Sequence, residues 1–291
     1  MIPLEVLANC PDSIVMDIGT GTKDVMFFSA ENTLENNVKL VVPAPALLMA
    51  DQIVSYKGDL GIAGYTMGGG YLAKILKKHS QLGFKVNMET LPAYTIRNNL
   101  EEIKQSGVGI VDKIISPSHF FDEIELGFYF SLYERFGKDV SKLRLVGISA
   151  QDHGYHTDDE SSRNNRFKYF LNHLTPNPVP KALVFTGKDL PSVFGRLASG
   201  AKCVADFNSK LRILLIDTSF SAILGCLIDP QVSSLKGPVL YVNFGNGHTM
   251  ACVLREGIIQ AFFEHHTRII KQKPEIMRDY MVRLVEGKLP S

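Results

Sequence analysis

Two stretches of this chain repeat one design. Residues 14–28 and 239–254 each read as strand, tight turn, strand. In the first, Ser13-Ile14-Val15-Met16-Asp17 is an apolar run ending on an acid. Ile18-Gly19-Thr20-Gly21-Thr22-Lys23-Asp24 then leads into Val25-Met26-Phe27-Phe28. In the second, Pro238 to Asn243 and Met250 to Leu254 flank Phe244-Gly245-Asn246-Gly247-His248-Thr249. Apolar runs around a Gly-containing turn are a β-hairpin signal. The copies lie 226 residues apart and no short tandem period joins them. This predicts one ancient duplication, hence two similar halves, rather than a solenoid.

Between the hairpins the pattern alternates. Val38 to Val42 reads as a third strand, Pro43 and Pro45 as a break, and Asp51 to Ala63 as short apolar pieces. Helices are expected from Tyr71 to His79, stopped by Gly83, from Leu91 to Gln105, and from Glu123 to Phe136. Leu143 to Ser149 and Leu211 to Ile216 read as strands, and a helix runs through about Leu174. Thr218 to Ile228 has a small-residue helical texture. Gly257 to Phe263 is a further strand, and Lys273 to Val285 a last helix. Helices alternating with strands predict an α/β class.

The turns themselves suggest chemistry. A hairpin turn of Gly, Thr and Lys offers backbone N–H groups and hydroxyls that can cradle phosphate oxygens. An Asp ending the leading strand can hold Mg²⁺, usually through water. Two such turns, with the acid-bearing segment Asp217-Thr218-Ser219-Phe220-Ser221 before the second, are far more specific than one.

On these phrases the chain resembles the actin-like ATPase superfamily of sugar kinases, heat-shock chaperone ATPases and actin. Asp17 to Lys23 resembles its first phosphate motif, Asn243 to Thr249 its second, and Asp217 to Gly225 its connecting segment. The resemblance implies an actin-like (ribonuclease H-like) fold of two similar lobes, with mixed sheets flanked by helices, clamping Mg-ATP. It places the first lobe at 1–212, with helical insertions. The connector and second lobe would span 213–291, incomplete at the C-terminus. It implies that Asp17 positions Mg²⁺ and the attacking water and that Asp217 is a second acid. Gly19, Thr20, Gly21, Thr22 and Lys23 would hold phosphates from one side. Asn243, Gly245, Asn246, Gly247, His248 and Thr249 would hold them from the other. Asn243 stands where most relatives have Asp and is a poorer Mg²⁺ ligand. Four more phrases sharpen the resemblance: Met67-Gly68-Gly69-Gly70, Gln151-Asp152-His153-Gly154, the Gly245 to Thr249 turn, and Glu264-His265-His266-Thr267. Together they resemble a prokaryotic domain-of-unknown-function family labelled pyruvate formate-lyase activating enzyme.

The label's radical chemistry needs clustered thiolates, whereas Cys10, Cys203, Cys226 and Cys252 are widely spaced. The histidines offer another route. His153, His248, His265 and His266, with Asp152 and Glu264, are residue types that ligate Zn, Mn or Fe. Phosphate contact and purely structural roles are the competing readings. His265 and His266 are adjacent, so on a strand they point to opposite faces. Gln151-Asp152-His153-Gly154 also resembles a carbohydrate-kinase phrase, in which Asp152 would be the general base. Gln151 and His153 would then touch substrate. Gly68, Gly69 and Gly70 open a helix and could hold an anion. Arg163 and Arg166, three residues apart, read as a solvated face or an anion contact. Phe121, Phe128, Phe130 and Phe136 read as core.

Charge narrows the partners. Formal net charge is +1, and Lys77-Lys78 is too short for a basic patch, so nucleic acid and anionic membrane are not expected. The apolar stretch Ile213 to Ile228 is too short to span a bilayer and holds Asp217. A cytoplasmic ATPase or phosphotransferase is expected, using ATP and Mg²⁺ with an unknown small-molecule acceptor or partner protein. A nucleotide-gated activator and a histidine-based metal enzyme are the alternatives.

Overall fold

A computed structural model of the chain describes residues 9–155 and 162–289. It opens with β1 (Ser13–Ile18), β2 (Thr22–Phe28) and β3 (Val38–Pro43). Then come α1 (Pro45–Ser55), β4 (Leu60–Gly64), α2 (Gly70–Gln81), β5 (Val86–Glu89), α3 (Thr90–Ala93), α4 (Leu100–Gln105), β6 (Gly109–Val111) and β7 (His119–Phe121). Next are α5 (Leu126–Arg135), β8 (Leu145–Ala150), α6 (Ser162–Leu174), β9 (Phe185–Thr186), α7 (Gly195–Phe207) and β10 (Arg212–Ile216). The last part holds α8 (Thr218–Cys226), α9 (Pro230–Ser233), β11 (Pro238–Phe244), β12 (His248–Arg255), β13 (Ile258–His266), α10 (Thr267–Gln272) and α11 (Pro274–Val285).

Three sheets result. In the first, β3-β2-β1 is an antiparallel meander, continued beyond β1 by parallel β8 and β10, with short β9 at the edge. The second is the antiparallel meander β11-β12-β13. The third, β6-β5-β4-β7, is wholly parallel and inserted between β3 and α5. Mixed sheets flanked by helices give the α/β class that the alternation predicts. The predicted duplication is visible as the paired meanders β1–β2–β3 and β11–β12–β13.

Packing follows strand alternation. Ile14, Met16 and Ile18 of β1 enter the main core, which also holds Phe220 of α8 and Met250, Cys252 and Leu254 of β12. The alternate β12 residues Ala251 and Val253 pack on Ile270, Met277 and Leu284 in a separate outer core. A strand buried on both faces reads as a continuous apolar run, as His248–Arg255 largely does. The inserted sheet has its own core, built on Ile62, Leu72, Leu76 and Met88.

Some expectations change. Leu91 to Gln105 is not one helix: α3 ends at Ala93, and α4 restarts only at Leu100. The Asn99 side chain accepts from Glu101 N–H and caps α4, and short polar side chains favour such caps over helix interiors. Pro45 starts a helix instead of only breaking the pattern, because a first-turn N–H has no helical partner to lose. Phe121 is buried, but Phe128 and Phe136 are exposed, so the phenylalanine stripe is only partly core. Among the described residues no helix is long and apolar enough to cross a membrane.

Candidate functional site

The two hairpin turns have one geometry. Gly19 N–H donates to Thr22 O at 3.0 Å, and Gly245 N–H donates to His248 O at 3.0 Å. Each closes a two-residue loop, Thr20-Gly21 in one and Asn246-Gly247 in the other. A Cβ on Gly245 would lie 2.7 Å from His248 O, so this corner requires glycine. The two tips face each other. A Cβ on Gly21 would meet Asn246 Nδ2 at 3.0 Å, and one on Gly247 would meet Thr20 at 3.3 Å.

Behind the first turn lie the carboxyl ends of three parallel strands, the usual ligand edge of such sheets. Asp17 on β1 is in register with Ser149 on β8, and Ser149 with Ile216 on β10, one residue before Asp217. Thr218 Oγ1 donates to Asp17 Oδ1 at 2.8 Å. Burial pushes the Asp17 carboxyl above the usual carboxylate range. Hydrogen bonds from Ser149 and Thr218 pull it back, and Asp24 and Asp217 add repulsion. A desolvated carboxylate beside other acids is a group that a divalent cation would relieve, so Asp17 fits the expected Mg²⁺.

Asp217 is committed differently. Its carboxylate caps α8, accepting from Ser219 N–H at 3.0 Å. It also receives two hydrogen bonds from Arg166, Nε to Oδ2 at 3.0 Å and Nη2 to Oδ1 at 2.6 Å. Arg166 Nη1 donates to Glu264 Oε2 at 2.5 Å, and Gln151 Nε2 to Glu264 Oε1 at 3.1 Å. Arg166 is 0% exposed, which overturns the solvated-face reading. The signal was present: Arg166 lies four residues before Phe170 and eight before Leu174, on the buried stripe of α6. The Arg163 side chain lies outside the described residues.

Three further expectations are corrected. Lys23 does not face the phosphates. It is 0% exposed, with Nζ donating to Ile124 O at 2.9 Å and paired with Glu125 Oε2 at 3.1 Å. Thr249, its counterpart in the second hairpin, is also turned inward: its hydroxyl meets Thr267 Oγ1 at 3.0 Å, and Thr267 Oγ1 donates to Gly245 O at 2.7 Å. Asp152 is buried, and both its oxygens accept backbone N–H groups, from Gly154 and Leu197, each at 2.9 Å. It anchors the start of α7, a structural task that the general-base reading did not foresee.

Among the described residues the four predicted histidines do not converge on one point with Asp152 and Glu264. His248 and His266 stand opposite each other on β12 and β13, with ring centroids 4.4 Å apart. The His153 ring lies 6.1 Å from that of His248. His265 faces the other side of the sheet and packs on Tyr280, and Glu264 is taken by Arg166 and Gln151. Among the described residues no three metal-ligating side chains converge. Burial, with the Arg166 charge next, pushes the His153 imidazole down to about 4, so it is neutral near pH 7. Burial also lowers His248.

A family model described as "Putative pyruvate format-lyase activating enzyme (DUF1786)" matches residues 67–291, most of the chain. The chain belongs to this family. The DUF1786 chain is also similar to two solved structures. One is a Ppx/GppA family member from Aquifex aeolicus, 8% identical, with a TM-score of 0.31, over 92% of this chain and 58% of that one. The other is an exopolyphosphatase from Cytophaga hutchinsonii, 9% identical, with a TM-score of 0.30, over 94% of this chain and 60% of that one. The DUF1786 chain therefore spans less than two-thirds of the length of either. No curated protein matches it.

In this DUF1786 chain a cavity of about 480 Å³ opens beside the first turn. Gly19 and Thr20 line it, as do His248 from the second turn, Gly68 to Gly70, and Gln151 to His153. The Gly68 loop is braced from behind, with Gly68 N–H donating to Glu123 Oε2 at 2.8 Å and Met67 N–H to Thr95 Oγ1 at 3.0 Å. Arg196 holds the same Glu123 at both oxygens, 2.8 and 2.9 Å, and donates to Gln151 O at 3.0 Å. The Glu123–Arg196 pair ties loop, cavity and strand end together. No motif in the sequence marks it, because the partners are 73 residues apart.

Proposed function

We propose that this chain binds the phosphate groups of a nucleotide between its two hairpin turns and transfers or hydrolyses the terminal phosphoryl group. The observation that carries this reading is the duplicated turn. Two hairpins with the same 3.0 Å closing bond meet tip to tip, about one Cβ apart, so the turns would part slightly to admit phosphates between them. Phosphoryl transfer needs chiefly positioning and charge stabilisation, and opposed nests of N–H groups offer both. The backbone N–H groups of Thr20 to Thr22 and of Asn246 to His248 would donate to phosphate oxygens. Asp17 would hold Mg²⁺, which supplies charge neutralisation when bound.

A nucleotide-gated switch is the second reading. Asp217 is held by Arg166, and the counterpart of Asp17 in the second hairpin is Asn243. That leaves no second buried acid opposite Asp17 at the turns, so turnover would be slow without a partner, and binding would chiefly change shape. The family label implies radical chemistry on clustered thiolates. Cys203 lies on α7, Cys226 ends α8 and Cys252 is on β12, so these residues do not fit an iron–sulfur cluster.

Calorimetric titration of Mg-ADP and Mg-ATP into the full chain tests the proposal beside Asp17→Asn. Expected are binding by the wild type and at least about tenfold weaker binding by the variant, about 1.4 kcal/mol. A wild type that binds neither nucleotide, or a variant that binds equally well, overturns it.

A further inference from the structure

The cavity beside the first turn has a far wall that the nucleotide reading does not use. Helix α2 begins there at Gly70 without a side-chain cap. Lys74 and Lys77 follow Gly70 by four and seven residues, so the three share one helix face, and both lysines line the cavity. Arg97 faces them from the loop after α3.

The charge on this wall is unbalanced. Among the described residues neither lysine makes an ion pair, and the carboxylate that Arg97 reaches is the exposed Glu102, at 3.5 Å. Asp152 is the acid lining the cavity; its oxygens accept backbone N–H groups, and its charge acts on Arg196 rather than on the lysines. Arg196, also in the lining, is neutralised by Glu123. Burial, with the Arg97 charge next, pushes the Lys77 ammonium below its usual range, while Glu102 pulls it partly back. Crowded cations on the wall of a small cavity, beside an uncapped helix N-terminus, are arranged for an anion.

We propose that this cavity binds a small anionic molecule, bearing a carboxylate or a phosphate monoester, with that group on Lys74, Lys77 and Arg97. The cavity volume suits a metabolite-sized ligand. Its other end would lie toward Thr20 and His248, where the two turns meet. Calling this ligand the phosphoryl acceptor rests on the nucleotide reading, whereas the anion site itself does not.

The test is calorimetry on the full chain with three probes: succinate, glycerol 3-phosphate and uncharged glycerol, each at millimolar concentration. The wild type should bind at least one anion and not glycerol, and which anion binds distinguishes carboxylate from phosphate. Lys74→Gln with Lys77→Gln should weaken that binding at least tenfold while leaving Mg-ADP binding unchanged. Lys77→Arg, which keeps the charge, should retain it. Equal anion binding by the double variant, or no binding of either anion by the wild type, overturns the proposal. Anion binding that depends on the lysines, in a chain that binds no nucleotide, would sustain the anion site and remove the acceptor role.

Discussion

Arg166 holds Asp217 at two points, with 3.0 and 2.6 Å hydrogen bonds, and donates through Nη1 to Glu264. The three residues belong to α6, the cap of α8 and β13, so one buried guanidinium joins a helix of the first half to the second meander. Breaking such a pair from one side leaves buried carboxylates uncompensated. Arg166→Ala should therefore cost about 3–5 kcal/mol in urea unfolding near neutral pH. Arg166→Lys should recover only part of this, because an ammonium cannot reproduce the two-point fork. A loss below about 1 kcal/mol, typical of exposed pairs, would show that the network contributes little.

Asp17 gives a prediction with a definite sign. Its carboxyl is pushed above the unfolded value by burial. The folded state therefore binds this proton more tightly, and its contribution to stability is present at low pH. That contribution fades as pH rises from about 4 through the folded value. Asp17→Asn removes this dependence. The variant should be more stable than the wild type at pH 7 and lose that advantage near pH 3, as thermal melts across the range would read. Mg²⁺ should narrow the gap at pH 7 by compensating the charge in the wild type alone. A variant less stable at neutral pH would mean that the Thr218 bond outweighs desolvation.

Lys23 separates motif from geometry. The phosphate-loop resemblance makes its ammonium a phosphate ligand, whereas the fold buries it against Ile124 O and Glu125 and over the Tyr129 ring at 4.5 Å. Lys23→Met keeps length and removes a desolvated charge, and Glu125 is exposed enough to be solvated alone. Stability should change by no more than about 2 kcal/mol, and Mg-ADP affinity should stay within about twofold. A tenfold loss of affinity in a folded variant would return the ammonium to the phosphates.

The contrast between Lys23 and Thr20 shows what the chain reveals before folding. Local patterns were legible: both hairpins, α2, α6 and α8 follow from apolar runs, glycines and caps within a few residues. The side a residue faces was legible only where alternation could be counted, as for His265 and His266. Lys23 is one residue past the turn and so points away from it, a fact hidden by reading the motif as a block. The inserted parallel sheet was missed because its strands are three to five residues long, too short for periodicity to register. Long-range pairs such as Arg196–Glu123 and Arg166–Glu264 depend on tertiary placement and leave no local trace.

His153 supplies the sharpest solution test. Burial, Arg166 and His248 together hold its imidazole near 4, against about 6.5 when unfolded. Between those values the unfolded chain takes up a proton that the folded chain refuses. Stability should therefore fall as pH drops from about 6.5 to about 4, by at most about 3 kcal/mol. His153→Phe, which cannot titrate, should flatten that part of the profile. Nuclear magnetic resonance of the ring should show it neutral at pH 6, with Nδ1 buried and without a partner among the described residues. A neutral ring beside the turns adds no repulsion or attraction of its own to an arriving anion, so anion binding should not change with a midpoint near 6.5 through this residue. A His153 titration near 6.5 would instead place a charge in the cavity at mildly acid pH, and binding of glycerol 3-phosphate would then strengthen as pH falls.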